Sequence, residues 1–144
     1  MRLEGVRDRI GRAPAEAIVA GGVDPKLLAL VHLRVSQINS CSACVYAAVT
    51  RGGKAGDSDE RLHNAAAWCE APFCTDAEHA APAPAEAATR LQDGAEGVTD
   101  EIWEEVNAHF TEEQIGAINL EIAPADFFNR INRAIKEPAG QTWG

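Results

Sequence analysis

Apolar residues in this chain recur at spacings of three and four, which is the period of an α-helix. The clearest run follows Asp24-Pro25, a pair typical of a helix start. Its apolar members are Leu27, Leu28, Val31, Val35 and Ile38. No segment shows a convincing alternation of apolar and polar residues, which would indicate a half-buried strand. The pattern therefore predicts an all-α protein.

Further helices are predicted from residues that commonly cap a helix start. In chain order these residues are Asn39 or Ser40, Asp57 or Ser58, Thr75, Thr99 and Thr111. Because a proline inside a helix removes a backbone hydrogen bond, Pro82 and Pro84 are expected to kink the fourth helix or divide it into two short helices, and Pro124 to kink the sixth. We expect a compact bundle of about six helices.

Composition limits the number of domains and the kinds of partner. The chain has 144 residues, 46% hydrophobic and 24% charged, which fits one domain over residues 1–144. Its formal net charge of −9 disfavours nucleic acid and anionic lipid surfaces. Charges interrupt the first residues, unlike a secretory signal, and no stretch approaches the ~18 apolar residues of a membrane helix. We therefore expect a cytoplasmic protein that binds neither nucleic acid nor membrane.

The strongest chemical signal is Cys41-Ser42-Ala43-Cys44 at the predicted start of the second helix. Two thiols three residues apart at that place lie on one face, close enough to form a disulfide. The positive end of the helix dipole favours a thiolate, which can attack a peroxide or a disulfide. The second thiol can then close a disulfide. The spacing therefore favours redox chemistry at Cys41 and Cys44.

Two other interpretations of the cysteine pair remain open. A zinc ion would need two more ligands, for which Cys69, Cys74 and His63 are candidates. The pair could also be chemically inert. Against zinc, Cys69 falls on an apolar helical face, where a buried small hydrophobic residue is expected. We therefore predict no metal and no organic cofactor.

Other motifs surround the cysteine pair in a fixed order. Residues 34–39, Arg-Val-Ser-Gln-Ile-Asn, precede it, and Ala67-Trp68 and Ala71-Pro72-Phe73 follow it. Near the end, residues 128–132 read Phe-Asn-Arg-Ile-Asn. This combination resembles the alkylhydroperoxidase D-like branch of the carboxymuconolactone decarboxylase family, over about residues 24–137. The resemblance implies an all-helical fold that assembles as homotrimers or homohexamers.

The same resemblance implies a function. Thiol members of the family reduce hydroperoxides and are recycled by a dithiol or lipoyl-type reductant. By resemblance, Cys44 attacks the small-molecule hydroperoxide and Cys41 resolves the product, whereas helix-terminus electrostatics alone favour Cys41 as the attacker. We therefore expect a thiol-dependent hydroperoxide or disulfide reductase.

Departures from the family pattern weaken that expectation. Peroxidatic members usually carry a glutamate twelve residues before the first cysteine and a histidine four residues after the second; here these are Ala29 and Ala48. Such a proton relay is typically worth about 10²–10⁴-fold in rate. Ser40 also replaces a usual glycine, and Asp126 a usual asparagine. The alternative is a non-peroxidatic or engineered member of the fold that binds a small apolar molecule or serves as an assembly scaffold.

Three further residues are candidates for the pocket or its support. His32 shares a helical face with Ala29 and could replace the missing base. Tyr46 could line the pocket, and Arg34 is expected to pair with a carboxylate. Ala29 and Ala48 are expected to leave a small apolar cavity beside the cysteines, able to admit a ligand. Restoring glutamate and histidine at these two positions is expected to raise peroxidase activity.

Overall fold

The computed structural model describes residues 4–91 and 93–141, with side chains from Ile10 onward. Its regular elements are all helical, which confirms the predicted fold class. In chain order they are α1 (Glu4–Ala20), α2 (Pro25–Ile38), α3 (Ser42–Lys54), α4 (Asp59–Asn64), a 3-10 helix (Ala65–Glu70), α5 (Asp76–Ala80), α6 (Pro82–Thr89), α7 (Asp100–His109) and α8 (Glu112–Ile135). None of these helices combines the length and the apolar character needed to cross a membrane.

The structure has more elements than the six predicted helices. α1 was not predicted. Its apolar residues Ile10 and Val19 are exposed, so the apolar residues of this helix do not mark a single buried face. The predicted third helix changes to a 3-10 helix, in which Ala67 has non-helical dihedral angles. The predicted fourth helix is divided as expected, and Pro82 begins α6, where proline costs no helical hydrogen bond. α8 continues through Pro124, so the kink expected there stays a prediction.

α2 lies at the centre of the bundle, in contact with α3, α6 and α8. Its residues Val31, Leu33 and Val35 are completely buried. Val31 and Val35 belong to an apolar cluster with Ile118 and Ile122 of α8. Leu33 belongs to a second cluster, shared with α3 and α4. Full burial of each such side chain contributes ~1.5–3 kcal/mol to folding stability. Because α2 buries several of them against three other helices, it is the element around which the bundle packs.

α1 packs along α8 and supplies one wall of the cavity described below. Gly21, which follows α1, approaches α8 so closely that an added Cβ would collide with the Cβ of Ala117. Ile18 packs against the core cluster of α2 and α8. These two contacts fix the end of α1, so its earlier turns extend beside α8.

The turn between α2 and α3 carries the first cysteine and is held against α8. The Asn39 side-chain amide donates hydrogen bonds to Asp126 at 2.6 Å and to Asn129 at 3.0 Å. Arg133 donates to the backbone carbonyl of Asn39 at 2.7 Å. Asp126, which stands where the family usually has asparagine, is thus an acceptor for this turn. The place where α3 begins is therefore fixed relative to α8.

Larger-scale predictions stay open. Exposed apolar side chains on several helices include Tyr46, Trp103, Leu120 and Phe127. Assembly as a homotrimer or homohexamer stays a prediction, as do the single domain over residues 1–144 and the cytoplasmic location.

Ser40 explains why the family usually has glycine at this position. Its φ of +54° lies in the left-handed region, which costs an L-residue about 1–2 kcal/mol. We expect Ser40→Gly to raise the free energy of unfolding by ~0.5–1 kcal/mol, after the greater chain entropy of glycine is counted. Urea denaturation measures it. The control Ser42→Gly, at an ordinary helical position, is expected to bring no gain, and equal effects of the two substitutions would contradict the argument.

Candidate functional site

Cys41 and Cys44 are joined in a disulfide at the start of α3, as their spacing predicts. Cys41 is the N-cap residue of α3, and its sulfur accepts a hydrogen bond from the Cys44 backbone N–H at 3.4 Å. The exposed fractions of the two residues are only 2% and 4%. The pair is therefore buried at a helix N-terminus, where the helix dipole stabilises negative charge on sulfur.

A cavity of about 920 Å³ lies between α1, α2, α3 and α8, and Cys44 forms part of its wall. Cys41 does not contribute to this wall. α3 and α8 run in opposite directions, because Cys44 near the start of α3 contacts Asn132 near the end of α8, while Arg51 contacts Glu121. The cavity therefore extends along both helices, and a molecule inside it reaches Cys44 before Cys41.

Asn132 is the direct polar neighbour of Cys44. Its side-chain amide donates to the Cys44 sulfur at 3.2 Å, and only 8% of the residue is exposed. Its buried side-chain oxygen has no hydrogen-bond partner among the described residues. The sequence placed Asn132 in the closing family motif but gave it no role, because the contact joins residues 88 apart. Asn132 can therefore stabilise a Cys44 thiolate through its amide N–H.

An ionic cluster of the buried Glu121 with His32 and the partly exposed Arg51 lines the cavity farther along α8. The Glu121 carboxylate accepts from His32 Nδ1 at 2.9 Å and from the two terminal nitrogens of Arg51 at 2.5 and 3.2 Å. Burial by itself raises the pKa of Glu121, but the hydrogen bonds from His32 and Arg51 and the charge of Arg51 outweigh it. The pKa of Glu121 therefore lies below its ordinary value, and the residue is ionised at neutral pH.

This cluster does not contact the sulfurs. Glu121 lies eleven residues before Asn132, about 16 Å along the axis of α8. His32 lines the cavity, but its hydrogen bond goes to Glu121 and not to Cys44. Glu121 and Arg51 were missed by sequence reasoning. The sequence did contain one indication of Glu121. It is a charged residue on the apolar face of α8, where buried positions recur every three or four residues.

The comparisons with known proteins place this site in a family. Residues 12–87 match the sequence profile of the carboxymuconolactone decarboxylase family. The chain belongs to this family. It is 32% identical over 106 residues to an uncharacterised protein, YdfG, of Bacillus subtilis strain 168, covering 74% of this chain and 71% of that protein.

The likeness to two solved structures shows that this chain has the AhpD-like fold. A protein of unknown function from Agrobacterium tumefaciens, with a suggested AhpD antioxidant-defence role, matches with a TM-score of 0.79 and 27% identity over 90% of this chain and 88% of that one. The apo debrominase Bmp8 matches with a TM-score of 0.78 over 94% of this chain and 74% of that one. At 21% identity, the likeness to Bmp8 shows the fold alone. Family membership and the Cys41–Cys44 disulfide together fit a redox role.

The two positions of the family relay are filled by packed apolar groups. Ala29 and Ala48 have exposed fractions of 0% and 1%, and neither lines the cavity. Ala48 belongs to an apolar cluster with Leu62. A Cβ added at Gly52 would lie 2.7 Å from the Leu62 Cδ2 atom and 3.6 Å from the Ala29 Cβ atom. The cavity beside Cys44 is therefore not formed by these two alanines, which are packed in the interior, Ala48 in a cluster with Leu62 of α4.

The other two pocket candidates lie in different places. Tyr46 lines the cavity and is 54% exposed. Arg34 does not line it; its guanidinium donates to Glu86 at 2.5 Å, and Glu86 also accepts from the Trp68 indole at 2.9 Å. Arg34 therefore ties α2 to α6 and the 3-10 helix, as expected for a residue paired with a carboxylate.

The remaining cysteines stand apart from the redox pair. Cys69 is exposed, not buried as predicted, because the change from α4 to a 3-10 helix alters the phase of the apolar face. Cys74 is half-buried beside Arg61, and burial raises the pKa of its thiol. Among the side chains of residues 10–91 and 93–141, no three of His, Cys, Asp or Glu are grouped as a metal site requires. The zinc alternative therefore gains no support from the positions of Cys69, Cys74 and His63.

The packing around Ala29 predicts how a restored relay will behave. Because both alanines are buried and Ala48 packs in a cluster with Leu62, we expect Ala29→Glu with Ala48→His to destabilise the protein by ~1–3 kcal/mol through overpacking, with little gain in activity. Adding Leu62→Ala makes room and is expected to recover part of the stability and to raise peroxidase activity above that of the Leu62→Ala control. Urea denaturation and hydroperoxide turnover measure both effects. A double variant with unchanged stability and higher activity would show that Leu62 is no obstacle.

Proposed function

We propose that this protein is a thiol-dependent hydroperoxide reductase in which Cys44 attacks and Cys41 resolves. The observation that carries the proposal is a buried disulfide at a helix N-terminus of which only Cys44 borders the cavity. Helix-terminus electrostatics alone favour Cys41, the N-cap residue, whose sulfur accepts the Cys44 backbone N–H. Access favours Cys44, because only its side chain borders the cavity, and its sulfur accepts the Asn132 amide N–H.

The first chemical step oxidises Cys44. Its thiolate attacks the terminal oxygen of the hydroperoxide, and the S–O bond forms as the O–O bond breaks. The departing alkoxide takes a proton from solvent water in the open cavity and leaves as an alcohol.

The second step closes the disulfide. The Cys41 thiolate attacks the Cys44 sulfenic acid, the S–S bond forms, the S–O bond breaks, and the hydroxide leaves as water after protonation. Two thiols are thereby oxidised while one hydroperoxide is reduced to alcohol and water. A dithiol or lipoyl-type reductant then restores both thiols by thiol–disulfide exchange and departs as a disulfide.

The reaction is slower than in a relay-containing relative. Ala29 and Ala48 can neither accept nor donate a proton, and the His32–Glu121 pair is too far from Cys44 to take over by direct contact. What remains is thiolate stabilisation by Asn132 and by the helix terminus. We therefore expect turnover below that of relay-containing members by up to about 10²–10⁴-fold.

A second candidate function rests on the cavity alone. A non-peroxidatic member that binds a small apolar molecule is favoured by the apolar packing at the relay positions and by the volume of about 920 Å³. In that case the disulfide serves stability, and peroxide does not consume the thiols. The variants Cys44→Ser and Cys41→Ser separate these two functions, because only the peroxidatic function consumes hydroperoxide at the cysteines.

The roles of the two cysteines are tested by single substitution in the reduced protein. We expect Cys44→Ser to abolish hydroperoxide consumption. We expect Cys41→Ser to consume one equivalent and to leave a sulfenic acid on Cys44 that dimedone traps and mass spectrometry locates. The control, Cys69→Ser with Cys74→Ser, is expected to behave as the parent chain. Reaction at neither Cys41 nor Cys44 would falsify the proposed function, and a sulfenic acid on Cys41 in Cys44→Ser would reverse the assignment.

The role of Asn132 is tested by the reactivity of Cys44 in the Cys41→Ser background. Because hydrogen bonds to charged groups contribute about 1.5–3 kcal/mol, Asn132→Leu is expected to slow alkylation by iodoacetamide at neutral pH about tenfold or more. Asn132→Asp, which places a negative charge beside the sulfur, is expected to slow it further. The exposed Asn107→Leu is the control, and thermal unfolding checks the fold of each variant. Unchanged alkylation rates in folded Asn132 variants would contradict this role.

A further inference from the structure

The cavity has two chemically different ends. One end, which we call the sulfur end, contains Cys44 and Asn132. On α3, Ala47, Arg51 and Lys54 follow Cys44 along the same cavity wall. Their spacing of three, seven and ten residues from Cys44 corresponds to one stripe of a helix. Arg51 and Lys54 therefore form a cationic end about 10–15 Å from Cys44 along the α3 axis.

The wall between the two ends is largely apolar. Ile18 of α1, Ala47 of α3, and Pro124, Ala125 and Phe128 of α8 line it. A polar chain placed there would lose hydration without gaining hydrogen bonds, whereas an alkyl chain would be stabilised by the area that it buries. The middle of the cavity therefore fits a hydrocarbon segment.

The charge of the cavity is opposite to that of the chain. The formal net charge is −9, yet the described charged residues in the wall are Arg12, Arg51 and Lys54 against Glu121 alone, besides His32. Glu121 is already bound by His32 and Arg51. The Arg51 side chain is 41% exposed, and its guanidinium has further N–H donors beyond the two on Glu121. The cationic end can therefore receive an anion.

Helix electrostatics explain only part of this arrangement. Arg51 and Lys54 lie in the last turn of α3, where a positive charge is favoured by the helix dipole. The helix dipole favours a positive charge in the last turn whichever side of the helix carries it. It does not account for the alignment of both residues with Cys44 on the cavity wall, nor for Arg12 on α1.

Building on the proposed function, we propose that the substrate is the hydroperoxide of an apolar carboxylic acid, of the fatty-acid type. The carboxylate binds Arg51 and Lys54, the alkyl chain lies along the apolar wall, and the hydroperoxide group meets Cys44. The chemistry is that described above: the Cys44 S–O bond forms, the O–O bond breaks, and the alkoxide takes a proton from water. The product is the corresponding hydroxy acid.

The reaction test compares an acid with its neutral ester. We expect kcat/KM for 13-hydroperoxyoctadecadienoate to exceed that for its methyl ester about fivefold to tenfold, with the difference shrinking at high salt. Lys54→Gln is expected to reduce the acid-to-ester ratio about threefold to fivefold. Lys26→Gln, a lysine outside the cavity wall, is the matched control and is expected to leave the ratio unchanged. Equal kcat/KM for acid and ester, or equal ratios in the two lysine variants, overturns the inference.

A binding test separates this inference from the proposed function. Dodecanoate cannot be reduced, so its affinity for the disulfide form, measured by calorimetry, does not depend on catalysis. We expect it to bind more tightly than methyl dodecanoate, and less tightly to Lys54→Gln than to Lys26→Gln. Preferential dodecanoate binding without reduction of any hydroperoxide would support the substrate site and refute the proposed reaction. Hydroperoxide reduction without any preference for the carboxylate would support the proposed reaction and refute the substrate site.

Discussion

The contact between the start of α3 and the last turns of α8 is the constraint on which the rest of the site depends. Asn39 binds Asp126 and Asn129, and Asn132 binds the Cys44 sulfur. These partners lie on consecutive turns of α8, so one helix face fixes both the turn before the disulfide and the disulfide itself. Because the α2–α3 turn contains a strained Ser40, these hydrogen bonds also hold a backbone conformation that the local sequence disfavours.

Glu121 fixes the opposite end of the same helices. It joins His32 of α2 and Arg51 of α3 to α8, and its side chain is 5% exposed. A buried carboxylate without partners would be strongly destabilising, so the three residues require one another. α8 thus makes polar contacts at the two ends of the cavity, through Glu121 and through Asn132. The cavity wall between these contacts is mainly apolar.

Local signals in the sequence predicted much of the fold but little of the site. Thr99 and Thr111 cap α7 and α8 as predicted, and Pro82 begins a separate helix, because each of these depends on neighbours a few residues away. The cysteine pair was predicted for the same reason. The partners of Glu121 lie 70 and 89 residues away in sequence, and no local pattern links them. α1 was missed because its exposed apolar residues hide the period.

The alanines at the relay positions make physical sense once Leu62 is included. A glutamate and a histidine buried there would each need hydrogen-bond partners, and Leu62 offers none. Ala48 and Leu62 instead belong to one apolar cluster, and the missing side chain of Gly52 gives Leu62 its space. The two relay positions therefore hold apolar packing, Ala29 on α2 and Ala48 on α3, in place of acid–base groups. Any chemistry at Cys44 must then be assisted from the cavity side, where Asn132 is the polar group in contact with its sulfur.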